Sequence, residues 1–238
     1  MSQLPLFAPD TGWVAPSSLP DLSGKDIIAV DIETRDQGLD KGIGPGWAIH
    51  AGFITGVAVA WDSGQVYLPT RHVDTKCLDI KDWICRLFRQ PSRFVFHNAG
   101  YDLGWLTAQY GCRVPDNIDD TAAMAAIVDE NRLSYKLDDL CAYYGMPGKD
   151  ETLLKEAAHS YGIKDVKGGM WRLPAKFVGP YAEQDARATY DLYKVLRQHI
   201  DREGTQQAYQ LEVDLIPMIL EMRRNLFCID AARTEKAV

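Results

Sequence analysis

The sequence predicts an α/β domain, in which helices cover a central β-sheet. Runs of β-branched and aromatic residues at 27–34, 53–60 and 93–96 have the length and composition of strands. Between the second and third of these runs, residues 78–88 carry apolar side chains at near-helical spacing. Strands that alternate with helices in this way are typical of α/β layered domains.

Length and composition predict one main globular domain. The chain has 238 residues, 46% of them hydrophobic and 25% charged, which is ordinary for a soluble protein. The longest apolar stretch, residues 51–61, is too short to cross a bilayer, and the N-terminus lacks the pattern of a signal peptide. We therefore expect a cytoplasmic protein with no membrane partner; nothing in the sequence addresses its oligomeric state.

The cysteines and histidines exclude the common zinc sites. Five cysteines are scattered without a C-x-x-C pair, and five histidines form no H-E-x-x-H motif. Disulfides are not expected in a reducing compartment. A metal in this chain would therefore be held by carboxylates. The net charge of −7 argues against a broad nucleic-acid-coating surface, but it is compatible with a nuclease that has an acidic centre.

The first strand, residues 27–34, becomes acidic as it ends. In a strand, Asp31 and Glu33 share one face at a separation of about 6–7 Å along the backbone. Two such carboxylates would repel each other in a dry core, and a divalent cation between them removes that cost. Hard oxygen ligands suit Mg²⁺ or Mn²⁺. The alternative is that the two acids only mark the exit of the strand into a solvated loop.

A long glycine-rich connection, residues 35–52, follows this strand. Arg35, Lys41 and Trp47 lie in it and are candidates for contact with a substrate. A plain, flexible hairpin loop is an equal alternative. Residues 53–60 and 65–68 then read as a β-hairpin around the turn at 62–64.

The third predicted strand, residues 93–96, runs directly into a helix. Asn98 is a candidate N-cap of this helix, and Asp102 lies one turn further on about the same face. An acid in this position often points into the crevice at the carboxyl ends of the strands. The alternative is a favourable interaction of Asp102 with the helix dipole.

Two further helices and a basic segment follow. Asp120 is expected to cap one helix, in a structural role, and a second helix is expected from 134 to a stop at Gly145. Residues 161–180 are rich in basic residues and contain Lys167, Trp171 and Arg172. A flexible basic segment with an aromatic residue suits the phosphates and bases of a single strand. A solvated loop is an equal alternative.

The last signal is a Tyr–Asp pair on a helix. Pro180 is expected in the first turn of this helix, and Tyr181 and Asp185 then stand one turn apart with their side chains adjacent. A surface Tyr–Asp pair without a function is the alternative.

Taken in order, D-I-E-T at 31–34, H-N-A-G-Y-D at 97–102 and Y-A-E-Q-D at 181–185 resemble the three motifs of the DEDDy-type 3′→5′ exonucleases. The resemblance implies a ribonuclease H-like (DnaQ-like) fold, with a mixed central sheet flanked by helices. Three motifs in order on suitable elements are a specific signal, and every acid of the pattern is present.

The resemblance is strongest to the proofreading domain of family A DNA polymerases of the phage type. D-I-E-T-R-D, G-P-G-W, W-R-L-P-A and V-G-P-Y are similar to that group, and 211–224 resembles the helix that leads into the polymerase region. This implies a lead-in at 1–24, an exonuclease domain at 25–204 and a helical tail at 205–238. The chain is then either a polymerase fragment or a separate editing subunit, in a bacterial or phage-infected cytoplasm.

The family mechanism assigns a role to each motif residue. It implies that Asp31, Glu33 and Asp185 hold one metal ion and that Asp31 and Asp102 hold a second, so that two Mg²⁺ or Mn²⁺ ions act on the terminal phosphodiester. Tyr181 would orient the attacking water, and Thr34 and Asn98 would support the substrate. Trp47, Lys167, Trp171 and Arg172 complete the predicted substrate contacts. The expected partner is a single-stranded DNA 3′ end or a frayed primer terminus, together with a polymerase domain in cis or in trans.

Two rival hypotheses remain at this stage. A ribonuclease D-like 3′→5′ exoribonuclease shares all three motifs, and the polymerase-like tail favours DNA over it. A catalytically inactive module that binds single strands or docks a polymerase is the other. Such a module need not retain the acids and the tyrosine that are all present here.

Overall fold

A computed structural model describes residues 11–73, 75–148, 150–226, 233 and 235. Its centre is a five-stranded mixed sheet in the order β3-β2-β1-β4-β5. The central strand, β1, pairs antiparallel with β2 and parallel with β4, and this arrangement confirms the predicted mixed sheet. The strands are β1 (Ile27–Asp36), β2 (Gly52–Trp61), β3 (Gly64–Pro69), β4 (Arg93–Phe96) and β5 (Ile118–Asp120).

Nine α-helices have both of their ends among the described residues. They are α1 (Gln37–Asp40), α2 (Lys81–Leu87), α3 (Ala99–Tyr110), α4 (Thr121–Val128), α5 (Leu137–Tyr143), α6 (Thr152–Ser160), α7 (Val166–Gly169), α8 (Ala175–Glu203) and α9 (Gln206–Asn225). Two short 3₁₀ turns, Gly46–Ile49 and Met170–Arg172, lie in the connections. No helix in the described ranges has both the length and the apolar character needed to cross a membrane.

Helices α8 and α3 cover the sheet where the acidic residues of β1 lie. The long helix α8 packs across β1, β2 and β3, and α3 packs against β1, β2 and β4. Because side chains alternate along a strand, Glu33 faces Asp185 of α8, whereas Thr34 and Asp36 face α3. The acidic side chains of β1 therefore point towards two different helices.

The hairpin at 62–64 and the strand at 93–96 are confirmed, as is the N-cap role of Asp120, whose side chain accepts from the backbone N–H of Ala122. Helix α2 is shorter than the predicted 78–88. The connection predicted at 35–52 begins later than expected, because β1 continues to Asp36. It contains α1 and a 3₁₀ turn.

Three local predictions were wrong. Asn98 makes no side-chain cap bond, because it adopts the left-handed conformation with φ of 69°. Pro180 lies inside α8 rather than in its first turn, because the helix already begins at Ala175 after Pro174. The segment 161–180 is not a flexible loop, since it contains α7, a 3₁₀ turn and the start of α8.

The two ends of the described chain pack on this framework. Trp13, in the predicted lead-in, donates from Nε1 to Glu183 of α8 at 2.9 Å, and residues 11–24 have no regular helix or strand. Helix α9 is attached by Tyr209, whose hydroxyl donates to Asp119 Oδ1 at 2.6 Å and accepts from the Asp120 N–H at 3.0 Å. The remaining parts of the predicted lead-in and tail, 1–10 and most of 227–238, lie outside the described residues.

Candidate active site

Three carboxylates from two elements meet beside the centre of the sheet. Asp31 and Glu33 come from β1, and Asp185 comes from α8. One carboxylate oxygen of each lies within 4.8 Å of the corresponding oxygens of the other two. Glu33 and Asp185 are only 8% and 6% exposed, and Asp31 is half-buried. The period of the strand and the packing of α8 thus bring together acids that are about 150 positions apart in the sequence.

The fourth acid, Asp102, lies in the first turn of α3 and is 4% exposed. Its Oδ1 accepts a hydrogen bond from the backbone N–H of Ile32 at 3.1 Å. Burial raises the pKa of Asp102 well above its ordinary value, and the nearby charge of Asp31 raises it further. Asp102 is outside the three-acid group, but it is close enough to Asp31 to be affected by its charge.

Tyr181 stands beside Asp185 on α8 and is 6% exposed. Its pKa is raised far above 10, first by burial and then by the negative charges of Asp185, Glu33 and Asp31. A hydrogen bond from the phenol to Asp185 adds to this shift. The phenol therefore remains protonated at neutral pH and acts as a hydrogen-bond donor rather than as a base.

The donor set fits a hard divalent cation. Three carboxylates held this close together and largely away from water would repel one another strongly unless positive charge lies between them. All the donor atoms are oxygens, which is the preference of Mg²⁺ and Mn²⁺ rather than of zinc. The residues that would hold such an ion are Asp31, Glu33 and Asp185.

A second network, which the sequence analysis missed, fixes the end of β1. The Asp36 carboxylate accepts from the Tyr101 hydroxyl at 3.0 Å and from Trp105 Nε1 at 3.2 Å. Its other oxygen accepts from the backbone N–H groups of Gly38, Leu39 and Gly46 at 2.8–2.9 Å. An acid followed closely by several glycines was the available sequence signal, since glycine N–H groups can approach a carboxylate without side-chain hindrance.

Two of the predicted substrate residues contact other side chains of the protein. The Thr34 hydroxyl donates to the Tyr101 oxygen at 2.7 Å, since the Tyr101 proton is directed to Asp36. Trp47 is 2% exposed and packs so closely on Gly104 that an added Cβ there would lie 2.2 Å from the indole. The prediction of substrate contact is therefore wrong for Trp47, because its ring is enclosed in the core.

The other predicted substrate residues lie on the surface in different settings. Asn98 is exposed at the start of α3, and its backbone N–H donates to Asp120 at 2.9 Å. Lys167 forms an ion pair with Glu151 at 3.6 Å, and Arg172 is exposed. Trp171 is half-buried next to β1, with the Arg35 guanidinium carbon 4.2 Å from its ring centroid. Their contacts with a substrate stay predictions.

The fold defines a class, the proteins with a ribonuclease H-like fold. Brucella melitensis NrnC with bound Mg²⁺ superposes with a TM-score of 0.62 at 18% identity, covering 86% of this chain and 89% of NrnC. Escherichia coli RNase D, an exoribonuclease, gives 0.58 at 14% identity, covering 85% and 46%. Pol1 of M. smegmatis in complex with DNA gives 0.60 at 17% identity, covering 90% and 31%. At these identities the likeness establishes the fold.

The sequence comparison gives the family. A family model described as 3′-5′ exonuclease matches residues 18–201, and the chain belongs to this exonuclease family of family A-type DNA polymerases. A DNA-directed DNA polymerase of Pseudomonas phage M6 is 36% identical over 98% of this chain, and DNA polymerase DpoZ of Acinetobacter phage SH-Ab 15497 is 30% identical over 70% of it. The matches span 36% and 28% of those relatives' lengths.

Proposed function

We propose that the protein is a metal-dependent 3′→5′ exonuclease that releases nucleoside 5′-monophosphates from DNA 3′ ends and proofreads for a family A DNA polymerase. The observation that carries this proposal is the meeting of Asp31, Glu33 and Asp185 within 4.8 Å, with the neutral Tyr181 hydrogen-bonded to Asp185. This arrangement supports hydrolysis at one terminal phosphodiester.

The acids and Tyr181 have different roles in this proposal. Asp31, Glu33 and Asp185 hold the cation, and Asp102, fixed by the Ile32 N–H, adds negative charge beside Asp31 for a second ion. When bound, Mg²⁺ or Mn²⁺ supplies a reactive water and stabilises charge on the phosphodiester. Tyr181 orients the attacking water through its oxygen, which accepts a hydrogen bond from the water, because the raised pKa keeps the proton on the phenol and that proton is donated to Asp185.

DNA is proposed as the substrate because the sequence relatives are DNA polymerases. RNase D has a similar fold and is an exoribonuclease, so RNA 3′ ends are the second candidate. Matched DNA and RNA oligonucleotides distinguish the two, since the 2′-hydroxyl is the chemical difference that a site can sense.

Association with a polymerase domain is proposed from α9. Its surface exposes an apolar stripe at helical spacing, consisting of Leu211, Met218, Ile219 and Met222, and the exposed Leu226 follows directly after the helix. Exposed apolar side chains grouped on one face of a helix suit contact with another protein. The chain spans about a third of its polymerase relatives, and this supports a polymerase region as the partner.

The test is release of mononucleotides from a 3′-labelled single-stranded oligonucleotide. We expect Asp31→Ala to abolish release while the circular dichroism spectrum is retained, and we expect EDTA to abolish release by the native protein until Mg²⁺ or Mn²⁺ is restored. Asp82→Ala, at an exposed acid of α2, is the matched control. Release at the native rate by Asp31→Ala or in EDTA would refute the metal assignment. Binding of the oligonucleotide without hydrolysis by the native protein would favour the inactive module.

A further inference from the structure

Arg35, Phe53, Arg71 and Trp171 form an arginine–aromatic cluster at the end of β1. The Arg35 guanidinium carbon lies 4.2 Å from the Trp171 ring centroid, and that of Arg71 lies 3.9 Å from the Phe53 centroid. The two rings meet edge to face at 6.2 Å. Four residues from separate parts of the chain therefore form one continuous group of two cations and two rings.

The cluster adjoins the acids. Arg35 is two residues beyond Glu33 on β1, so it lies on the same face at about 6–7 Å along the strand. It is paired in register with Phe53 of β2. A nucleic-acid strand whose terminal phosphodiester lies at the carboxylates therefore has its next backbone unit within reach of this cluster.

The charges of the cluster are not used in ion pairs with described carboxylates. Neither Arg35 nor Arg71 forms such a pair in the described ranges, whereas Arg93, Arg113 and Arg187 all do. A guanidinium packed on a ring still has its donor N–H groups at its edge, where they suit phosphate oxygens. The Arg71 side chain is exposed, and the rings are only half-buried.

A group of cations beside the site also suits the negative charge of this protein. A polyanionic strand must approach four acids in a protein with a net charge of −7, and local cations are needed to offset this repulsion. Aromatic rings beside the cations provide a surface on which a base can stack without regard to its identity.

We propose that this cluster binds the nucleotide immediately 5′ of the scissile phosphodiester, with Arg35 and Arg71 on its phosphate and with Phe53 and Trp171 against its base. The inference rests on the proposed exonuclease function, and it makes the four residues a single-strand binding site. Arg71 is the best point of attack because it is exposed and lies outside the strands.

The experiment compares two substrates that differ in whether this nucleotide is present. An oligothymidylate has it, whereas the p-nitrophenyl ester of thymidine 5′-monophosphate has only the scissile phosphodiester. For Arg71→Ala we expect the ratio of kcat/KM for the oligonucleotide to that for the ester to fall roughly tenfold, the factor that corresponds to about 1.4 kcal/mol. The change should appear mainly in KM.

Two further variants sharpen the result. Arg132→Ala removes an arginine that lies 4.0 Å from the Tyr143 ring centroid, beside α5, and should leave the ratio unchanged. Phe53→Leu removes the ring under Arg71 and keeps every charge. It should lower the ratio without changing the salt dependence of KM, whereas Arg71→Ala should make that dependence shallower by roughly 0.7 in the logarithmic slope.

The inference and the proposed function fail in different ways. An unchanged ratio in Arg71→Ala overturns the inference, whether the activity on both substrates stays at the native level or falls equally on both. If the native protein hydrolyses neither substrate, the exonuclease proposal fails. Fluorescence anisotropy of a labelled oligothymidylate in EDTA then still tests the cluster, since binding must weaken in Arg71→Ala and not in Arg132→Ala.

Discussion

Asp102 of α3 accepts a hydrogen bond from the backbone N–H of Ile32, the residue between Asp31 and Glu33. This 3.1 Å contact ties α3 directly to the acidic part of β1. A carboxylate in this position has both a structural role, because one oxygen fixes the helix, and an electrostatic role, because its charge acts on Asp31.

The two roles of Asp102 can be separated by Asp102→Asn. An amide oxygen can still accept from the Ile32 N–H, so we expect the melting temperature to be equal to or above that of the native protein, because a buried, repelled charge has been removed. We expect activity to fall at least roughly tenfold. Thermal melting and the release assay measure the two effects. A destabilised Asp102→Asn that retains full activity would show that Asp102 is only structural.

Replacing Tyr181 by Phe removes one hydroxyl and leaves the ring in place. We expect the rate to fall roughly a hundredfold, because the water loses the hydroxyl that orients it, while Mn²⁺ affinity measured by calorimetry remains near that of the native protein. Tyr190→Phe, on the same helix, is the matched control. A collapse of Mn²⁺ affinity in Tyr181→Phe would mean that the phenol supports the ligands and not the water.

Asp36→Asn should destabilise the fold although it changes a single oxygen. Both oxygens of Asp36 accept hydrogen bonds, so the NH₂ group of an asparagine side chain would meet other donors in either orientation. It would face the Tyr101 hydroxyl and Trp105 Nε1, or else the three backbone N–H groups now bound by Oδ1. We expect a loss of roughly 3 kcal/mol in the free energy of unfolding, measured by urea denaturation. Asp40→Asn, at an exposed acid of α1, should change it little. Equal stability of the two variants would contradict the role given to this network.

The environment of His72 indicates that the stability of the protein depends on pH. Its Nδ1–H donates to the Leu173 carbonyl at 2.8 Å, so Nε2 accepts from the Tyr67 hydroxyl at 2.7 Å. Burial lowers the pKa of His72 from its ordinary value of 6.5, and the bond to Leu173 opposes the shift only in part. As the pH falls, His72 is therefore protonated at a higher pH in the unfolded chain than in the native state. The free energy of unfolding decreases as the pH falls below about 6.5.

Urea denaturation from pH 7.5 to 5 tests this dependence. The free energy of unfolding of the native protein should fall more steeply with falling pH than that of His72→Gln, so the two curves converge at low pH. His159→Gln, at an exposed histidine of α6, should follow the native curve. Parallel curves for the native protein and His72→Gln would show that His72 is not the group responsible.

Local sequence patterns predicted most of the sheet. The strands at 27–34, 53–60 and 93–96 and the turn at 62–64 all lie where they were expected, because period-two patterning and turn chemistry are local properties. The errors at Asn98 and Pro180 concern single positions. Helix α3 begins directly after Asn98, as expected, but Asn98 has a left-handed backbone and its side chain makes no cap bond. Helix α8 begins at Ala175, so Pro180 lies inside the helix.

The support around the site was invisible in the sequence. Asp36 and Trp105 are 69 positions apart, and Arg35 and Trp171 are 136 positions apart; only folding shows that they touch. The same holds for Trp47, which was predicted to contact a substrate and is enclosed by its packing on Gly104. Contacts of this kind depend on how several elements pack together, so they cannot be predicted from a local sequence pattern.

The order of the three motifs, read along the chain, determined the family and the acids that form the site. The tertiary structure decided which acids meet. It placed Asp31, Glu33 and Asp185 within 4.8 Å and directed Asp102 to the Ile32 N–H. The physical reason is that a motif specifies residue types on particular elements, whereas the distances between carboxylates depend on how a strand and two helices pack.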